Sequence, residues 1–365
     1  VGLVGVPQTH PPRKINGFSV SGFLAGSTKE RYTYPATLAK EIEGAVGRYI
    51  LDVDDFRSHD HRRIVDDVHA MTERRFALFR HFLKSRPQDL MMMVEMGPDR
   101  IHHALWHLMD PEHRLHEPGH PLQGAILGYY RALDDELRRT LECVPDDAHL
   151  FIVSDHGAKA MNGGIAINEF LRRKGWLTLK DPPPDGEVRP FKEEGVDWAN
   201  TKAWGWGGYY GRVFLNVQGR EPEGVVPAGA YEEFRDEVAA ALRDEVRGPD
   251  GEALDNKVFR PEDIAEDPAG DPPDLMVYFD DLRWRSIGSV GYEGIHTVEN
   301  DTGADGANHA EVGVFVYRGP LAGGGGASGE PLNELSLLDV GPSILRLFGL
   351  PTPEDAIGRP MPLVS

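Results

Sequence analysis

The sequence predicts an α/β fold with a doubly wound, mostly parallel sheet that has helices on both faces, and a smaller inserted subdomain. Short apolar runs alternate with amphipathic helical patterns through the first half of the 365 residues, which is the order of strand–helix–strand units. Residues 90–96 are apolar almost throughout and residues 149–154 form a second such run, as expected for strands covered on both faces. The alternation of apolar runs and helical patterns stops after Trp176. The proline-rich, charged residues 181–196 then indicate a loop that leaves the core.

Hydrophobic spacing defines the individual elements. Residues 62–84 carry Val68, Met71 and Phe79 near helical spacing, and Pro87 ends this long amphipathic helix. The other predicted helices are 36–45, about 100–109, 122–142, about 230–246, and a final helix that Ser336 caps and Gly349 closes. The other predicted strands are 48–53, 212–217 and 312–317.

This order of elements divides the chain into three parts. Residues 1–180 are predicted to form the first part of a metal-binding α/β core. Residues 181–290 mix aromatic patches, a strand, a helix and acidic proline-rich loops, and we interpret them as an inserted cap or subdomain. Residues 291–365 would complete the core with a late metal-ligand histidine and the C-terminal helix.

The charge of the chain excludes one class of function. The formal net charge is −20, whereas proteins that bind nucleic-acid polymers hold the phosphate backbone with clustered Lys and Arg. A hydrophobic content of 40% with 27% charged residues is typical of a globular protein with a well-solvated surface. A nucleic-acid partner is therefore not expected.

The cysteine content, the length of the apolar runs and the first residue of the chain narrow the kinds of site and segment to expect. Cys143 is the one cysteine in the chain, which excludes an intrachain disulfide framework and a cysteine-based zinc site. No apolar run approaches the roughly 20 residues of a membrane helix. The first residue is Val and no export signal is visible, so we expect a processed chain or a fragment. The sequence leaves the compartment and the oligomeric state open.

Three short segments combine carboxylate and imidazole groups at the ends of predicted core strands. Asp99 and His103 follow the strand at 90–96, and their i, i+4 spacing places them on one side of the next helix. Asp155 and His156 directly follow the strand at 149–154. The third segment is Asn308-His309, which leads into the strand at 312–317.

These segments favour a metal site. Ligands of open parallel sheets gather at the carboxyl ends of the strands, where the first two segments can meet. Histidine and aspartate ligands without cysteine suit Zn²⁺, Mn²⁺ or a similar ion. Two such ions a few ångströms apart would stabilise the attacking and leaving oxygens of a phosphoryl transfer.

Several neighbouring residues leave alternatives open. Asp99 is also placed to N-cap its helix, His102 lies at i+3 from it, and His296 competes with His309 as the late ligand. Three residues after the Asp-His-Gly segment are candidates to reach a phosphate, although surface and capping roles are more usual for them: Lys159, Asn162 and Asn168. The aromatic run at 204–210 either forms a lid over a base or sugar or, as is more usual, packs the subdomain onto the core.

The sequence resembles the type I phosphodiesterase and nucleotide pyrophosphatase group of the alkaline phosphatase superfamily. Ser154-Asp155-His156-Gly157 is similar to the Asp-His metal pair of that group, and Gly97-Pro98-Asp99 with His103 to its Asp-x-x-x-His segment. The stretch from Asn308-His309 to Gly319-Pro320 resembles its late histidine before a strand that ends in Gly-Pro. Similar stretches extend over essentially the whole chain.

The resemblance implies how the metals would be held and what they would do. One ion would be bound by Asp99, His103 and His309, and the other by Asp155 and His156 with an additional Asp and a nucleophilic Thr or Ser. The ions would be zinc, with manganese as the alternative, and the substrate a small phosphate ester or a nucleotide-like molecule. The fold implied is alkaline phosphatase-like.

No residue of this chain is predicted to be the nucleophile. Residues 1–35 contain no strand that ends in a spare Asp and leads into a helix opened by Thr, so we expect the nucleophile upstream of residue 1. The 365 residues alone are then expected to be inactive, because a hydroxyl nucleophile needs the second metal to lower its pKa. The alternatives are a sulfatase, a phosphoglycerate-mutase-like member of the superfamily, or a non-catalytic metal-binding remnant.

Overall fold

The structure, a computed structural model, describes residues 1–265, 270–298, 300–320 and 335–362. The strands in these ranges are β1 (Gly2–Val6), β2 (Phe18–Ser21), β3 (Thr33–Tyr34), β4 (Met91–Met93), β5 (Leu150–Val153), β6 (Gly157–Ala160), β7 (Gly163–Ala166), β8 (Ala203–Trp206), β9 (Gly211–Leu215), β10 (Lys257–Phe259), β11 (Leu275–Tyr278), β12 (Trp284–Ile287), β13 (His296–Thr297), β14 (Ala307–Ala310) and β15 (Phe315–Arg318). The helices are α1 (Leu38–Val46), α2 (His61–Ser85), α3 (Gly97–Met109), α4 (Ala125–Leu141), α5 (Ile167–Arg173), α6 (Tyr231–Asp244), α7 (Pro261–Ile264) and α8 (Val340–Leu347).

The described strands form several small sheets. One has the order β3-β2-β1-β4, in which β1 pairs in parallel with β2 and with β4. A second, β10-β11-β9-β8, is antiparallel throughout. A third, β12-β7-β13, is mixed. The two remaining pairs, β14-β6 and β15-β5, are antiparallel.

The protein is therefore α/β, but one doubly wound, mostly parallel sheet is not confirmed. The two predicted core strands are present as β4 and β5, yet they lie in different sheets. Each is short and only partly buried, with Met92 of β4 45% exposed. Among the described strands β4 pairs only with β1, and β5 pairs only with β15, so the long parallel sheet does not form around them.

The predicted strand at 48–53 is wrong, and a buried arginine explains the difference. Arg75 of α2 is 1% exposed and donates hydrogen bonds to the backbone carbonyls of Ile50 and Leu51, each at 3.0 Å. It also donates to the carbonyl of Val94 at 3.1 Å. Buried carbonyls need a hydrogen-bond donor. Here the guanidinium of Arg75 supplies the donors that the backbone of a neighbouring strand would otherwise supply.

The predicted helices are found with small shifts at their ends. The predicted helix at 62–84 is α2, whose N-cap Asp60 accepts from the backbone N–H of Arg63. The helix at 122–142 begins at Ala125 as α4, and the strand at 312–317 begins at Phe315 as β15. Ser336 caps a short 3-10 turn that leads into α8.

The hydrophobic cores explain how the helices are held. The faces of α2, α3 and α4 pack together around Val68, Leu105 and Tyr129, which are each fully buried. A larger cluster lies between α5, α6 and the sheet β10-β11-β9-β8, with Val213, Val238 and Val277 at its centre. None of the described helices is long and apolar enough to cross a bilayer.

Candidate metal centre

The first turn of α3 positions Asp99 and His103. Pro98 occupies the start of the helix, where its fixed φ is favourable and its missing N–H has no helical partner to lose. Asp99 and His103 then lie one turn apart on the same face, with Oδ1 of Asp99 3.3 Å from Nε2 of His103. Because His103 is 1% exposed, packing against the surrounding core fixes the direction of its ring.

Strand pairing positions His156 and His309. In the antiparallel pair of β14 and β6, His309 lies opposite Ala158, two residues after His156. The two imidazole rings stack with centroids 3.7 Å apart and an interplanar angle of 11°. Gly157 allows this turn, because a Cβ there would overlap the backbone carbonyl of Val312.

The side chains from these three segments converge on Asp99. Its Oδ1 lies 3.3 Å from Nε2 of His103, 3.8 Å from Nε2 of His156 and 3.4 Å from Nε2 of His309. The Nε2 atoms of His103 and His309 are 3.3 Å apart. Asp155 lies at the rim: its side chain is 79% exposed and its Oδ1 is 3.7 Å from Nε2 of His156.

These donor atoms fit a divalent ion. A tetrahedral zinc with Zn–N bonds of about 2.0–2.1 Å places neighbouring ligand atoms about 3.3 Å apart. The three separations among Asp99, His103 and His309 are 3.3, 3.3 and 3.4 Å. The candidate ligand atoms of Asp99, His156 and His309 also lie within 4.8 Å of one another. The arrangement suits an ion held by Asp99, with His156 close enough to join the same ion or a neighbouring one.

Asp305 supports this cluster and was missed by the sequence analysis. Its side chain is fully buried, and its Oδ1 lies 2.7 Å from Nδ1 of His103. Its Oδ2 accepts a hydrogen bond from Nε of Arg57 at 2.8 Å. A carboxylate at Nδ1 fixes the proton there and leaves Nε2 free for an ion. The signal in the sequence is that Asp305 and His309 repeat the Asp-x-x-x-His spacing of Asp99 and His103.

Electrostatic pairing controls the charges of these groups. Burial opposes the charged form of His103, but hydrogen bonds to Asp305 and Asp99 outweigh it and raise its pKa to about 9. Burial likewise opposes ionisation of Asp99, yet hydrogen bonds with His103 and His309 hold its pKa below the ordinary value. Burial lowers the pKa of His309. The carboxylate of Asp99 is thus kept ionised, as a metal ligand must be.

A second layer of contacts holds Asp99 from behind. Arg100 is 5% exposed and pairs with Oδ2 of Asp99, the oxygen that faces away from the imidazoles. The same guanidinium binds Asp52 through two hydrogen bonds of 2.7 and 2.6 Å. This bidentate pair fixes the plane of the guanidinium, so that Oδ1 of Asp99 remains directed at the histidines.

One member of the aromatic run reaches the cluster. The ring of Tyr209 stacks on His309 with centroids 3.9 Å apart, and its hydroxyl accepts from Nη2 of Arg57 at 2.8 Å. Trp204 and Trp206 pack instead against Phe214 and Phe191 of the subdomain. The run therefore divides between contacts with the cluster, made by Tyr209, and packing within the subdomain, made by the two tryptophans.

The guanidinium of Arg285 lies 4.9 Å from the centroid of the Tyr209 ring. Arg285 is 7% exposed, and its Nε and Nη1 have no hydrogen-bond partner among the described residues. Among the described carboxylates, Asp301 forms an ion pair with it, at 3.9 Å from Nε. The guanidiniums of Arg57 and Arg285 therefore place positive charge beside the cluster.

The alternative residues lie elsewhere. His102 faces α4, where Nε2 is 3.2 Å from the hydroxyl of Tyr130. Nε2 of His296 lies 2.6 Å from the carbonyl of Arg247. Lys159 donates to Asp281, and the fully buried Asn168 bonds to the backbone of Gly205 and Gly288. For the side chain of Asn162 the structure gives no contact with the cluster among the described residues.

The comparisons with known proteins agree with these features. The family model for type I phosphodiesterase / nucleotide pyrophosphatase matches residues 5–308, which is well over half of the chain. The chain therefore belongs to the type I phosphodiesterase / nucleotide pyrophosphatase family. This family is a group of hydrolases, and membership supports phosphoester hydrolysis in general. The comparisons with curated proteins and with solved structures gave no match.

Proposed function

We propose that this protein is a metal-dependent phosphoester hydrolase of the phosphodiesterase and nucleotide pyrophosphatase kind. The observation that carries the proposal is the position of Asp99, whose Oδ1 lies 3.3–3.8 Å from the Nε2 atoms of His103, His156 and His309. The family is typically metal-dependent, and a cluster of this composition is suited to bind ions that act on a phosphate.

Each residue of the cluster has a role in the proposal. Asp99, His103 and His309 hold one ion, and Asp155 with His156 contribute to a second. Bound zinc, or manganese as the alternative, supplies positive charge that polarises a phosphoryl oxygen and lowers the pKa of a hydroxyl. Asp305 keeps the proton of His103 on Nδ1, where it is hydrogen-bonded at 2.7 Å, so that Nε2 can bind.

The substrate class follows from the charge around the cluster. Arg57 and Arg285 place two guanidiniums near Tyr209, and Arg285 has donors that are not paired within the described structure. Phosphate oxygens are the acceptors that such donors bind best. A small phosphate ester or a nucleotide-like molecule fits this site, and the ring of Tyr209 offers a flat surface beside it.

The nucleophile is proposed to be a Thr or Ser from outside the 365 residues. The hydroxyl nearest in sequence to the Asp-His pair, Ser154 Oγ, accepts a hydrogen bond from the backbone N–H of Val314 at 2.6 Å. That bond holds the hydroxyl on the β5–β15 pair. A nucleophile from elsewhere would attack phosphorus, displace one alcohol and form a covalent phospho-enzyme. Water would then break the bond between phosphorus and the enzyme, releasing a phosphate monoester from a diester, or phosphate from a monoester, and restoring the hydroxyl.

The test compares two proteins, the 365-residue chain and a chain extended upstream along its reading frame. Both are stripped of metal, reloaded with Zn²⁺ or Mn²⁺, and incubated with bis(4-nitrophenyl) phosphate and with 4-nitrophenyl phosphate. The extended chain is expected to release nitrophenol only with metal. Replacing His309 by Ala should reduce this rate by at least about 100-fold, because a ligand of the ion is lost. His149→Ala, at an exposed position hydrogen-bonded to Tyr317, is the matched control.

The same experiment distinguishes the sulfatase and the non-catalytic remnant from the proposed hydrolase. A sulfatase would act on 4-nitrophenyl sulfate in preference to the phosphate esters. A non-catalytic remnant would take up zinc and turn over neither ester, even with the upstream segment present. Either result would remove the phosphodiesterase proposal.

A further inference from the structure

A group of four histidines lies one helical turn away from the candidate metal centre. His61 is the first residue of α2, and His59 lies two residues before it. His107 lies near the end of α3, and His120 belongs to the following loop. We call these residues the histidine cluster. The ring centroid of His61 is 5.1 Å from that of His107 and 6.3 Å from those of His59 and His120.

One pair of these rings has the spacing of imidazoles that share an ion. With metal–nitrogen bonds of about 2.0–2.1 Å in tetrahedral geometry, two ring centroids lie about 5 Å apart. The pair of His61 and His107, at 5.1 Å, matches this value, and His59 at 6.3 Å is about 1 Å farther away. The three rings would share an ion after their side chains turn toward one point, a movement that the proposed site requires.

Among the described residues, hydrogen bonds do not hold these three rings in their present orientation. Within the described residues, no side-chain hydrogen bond is made by His59, His61 or His107, and the ring nitrogens of His61 and His107 are not sealed from solvent. Nδ1 of His107 faces Gly306, where a Cβ would approach to 2.9 Å, so Nε2 is the nitrogen with space to bind. His120 differs, because its Nδ1 accepts from the backbone N–H of Leu122 at 3.1 Å.

The protonation of these rings is compatible with metal binding. Burial and the neighbouring histidines lower the pKa of His107 to about 4, and burial lowers the pKa of His61. Four imidazoles at this distance repel one another when protonated, and a neutral imidazole is the form that binds a cation. The negative charges of Glu117 and Asp60 act to raise the pKa of His61, but burial and the neighbouring histidines outweigh them and the pKa remains lowered.

We propose that His59, His61 and His107 form a separate site for one borderline divalent ion, such as Zn²⁺, Ni²⁺ or Cu²⁺. Imidazole donors without sulfur or carboxylate select these ions over Mg²⁺ and Ca²⁺. Water completes the coordination, as in three-histidine zinc sites. His107 lies one turn along α3 from His103, but the proposed site shares no ligand with the candidate metal centre, so it can be tested separately from the proposed phosphoester hydrolysis.

Metal analysis after equilibrium dialysis against Ni²⁺ tests the site. The variant with both His61→Gln and His107→Gln is expected to bind one ion fewer than the unmodified chain. His309→Gln serves as the comparison at the other site, and His149→Gln serves as the surface control. The double variant should keep metal-dependent diester hydrolysis in the extended chain, whereas His309→Gln should not. A failure of the proposed function would therefore leave unaffected the difference of one ion between the unmodified chain and the double variant.

A spectroscopic measurement identifies the donors. In the His309→Gln variant, which weakens the other centre, electron paramagnetic resonance of bound Cu²⁺ should show coupling to three nitrogens. The coupling should fall to two when His59→Gln is added, a substitution at an exposed position. Equal Ni²⁺ stoichiometry for the unmodified chain and the double variant would overturn the proposal. So would unchanged Cu²⁺ coupling in His59→Gln, and coupling lost only in His120→Gln would reassign the third ligand and refute His59.

Discussion

Asp305 is the residue on which the geometry of His103 depends. Its buried carboxylate accepts the Nδ1–H of His103 and also pairs with Arg57. Replacing it by Asn removes the charge that orients and activates the imidazole, while the volume is retained. Outer partners of this kind typically contribute about 10–100-fold to metal affinity, and we expect a loss of that size. Titration of Zn²⁺ against a competing chromophoric chelator measures it.

Asp281→Asn is the matched control for this substitution. Asp281 is also paired with cationic side chains, at 2.6 Å from both Lys159 and Lys257, but it makes no contact with the candidate metal centre. Its variant should bind zinc as the unmodified chain does. Unchanged zinc affinity in Asp305→Asn, with a normal thermal transition, would show that His103 needs no such partner.

The sequence reveals residues whose partners are local and conceals those whose partners are distant. Asp99 and His103 are four residues apart on a helix, so their proximity follows from helical geometry alone. Asp305 is 202 residues from His103. Its spacing from His309 marks it as a candidate site residue but does not identify His103 as its partner. The same holds for Arg75, which binds the carbonyl of Leu51 at a separation of 24 residues and so replaces a predicted strand.

At the scale of elements, the start of α3 must approach α4 and α2 closely to present Asp99. A Cβ at Gly97 would overlap the hydroxyl of Tyr129 and lie 2.8 Å from Oγ1 of Thr72. Gly97→Ala is therefore expected to lower the free energy of unfolding by about 1–3 kcal/mol, as overpacking does. Denaturant unfolding followed by circular dichroism measures this loss.

Gly128→Ala provides the control in a neighbouring helix. A Cβ at Gly128 of α4 would meet no atom within 4 Å, and its φ is not positive. Because Ala is about 1 kcal/mol better than Gly inside a helix, this variant should be more stable than the unmodified chain. Equal effects of the two substitutions would mean that packing at Gly97 does not limit the position of α3.

The elements also show why sheets are harder to predict than helices. The apolar spacing of residues 62–84 predicts α2 because a helix closes its hydrogen bonds within itself. A strand needs a partner, and the apolar runs at 90–96 and 149–154 do not specify one. Their pairing with β1 and with β15 depends on segments that are distant in the sequence. The division into residues 1–180, 181–290 and 291–365 stays a proposal, because it too was predicted from local sequence character and not from contacts between distant segments.

For the whole molecule, the net charge of −20 opposes the approach of an anionic substrate. Salt screens this repulsion, with a Debye length that falls from about 30 Å at 0.01 M to about 10 Å at 0.1 M. The kcat/KM for bis(4-nitrophenyl) phosphate in the extended, zinc-loaded chain is therefore expected to rise over this range. A steady fall would indicate that the local charge of Arg57 and Arg285 dominates capture. The neutral solute sucrose, at matched viscosity, is the control.

The stability of the whole fold should respond to zinc in a way that depends on pH. Without metal, ion pairs with Asp305 and Asp99 raise the pKa of His103 from 6.5 to about 9 against the effect of burial. The protonated ring then contributes stability that is fully present below pH 6.5 and is lost as the pH rises through about 9. Zinc binds the deprotonated ring, so protons compete with it. The difference in Tm between zinc-loaded and chelator-treated protein should therefore increase from pH 6.5 to 9, and His103→Gln should flatten the increase. A difference in Tm that is constant over this range would place His103 outside the site that binds the ion.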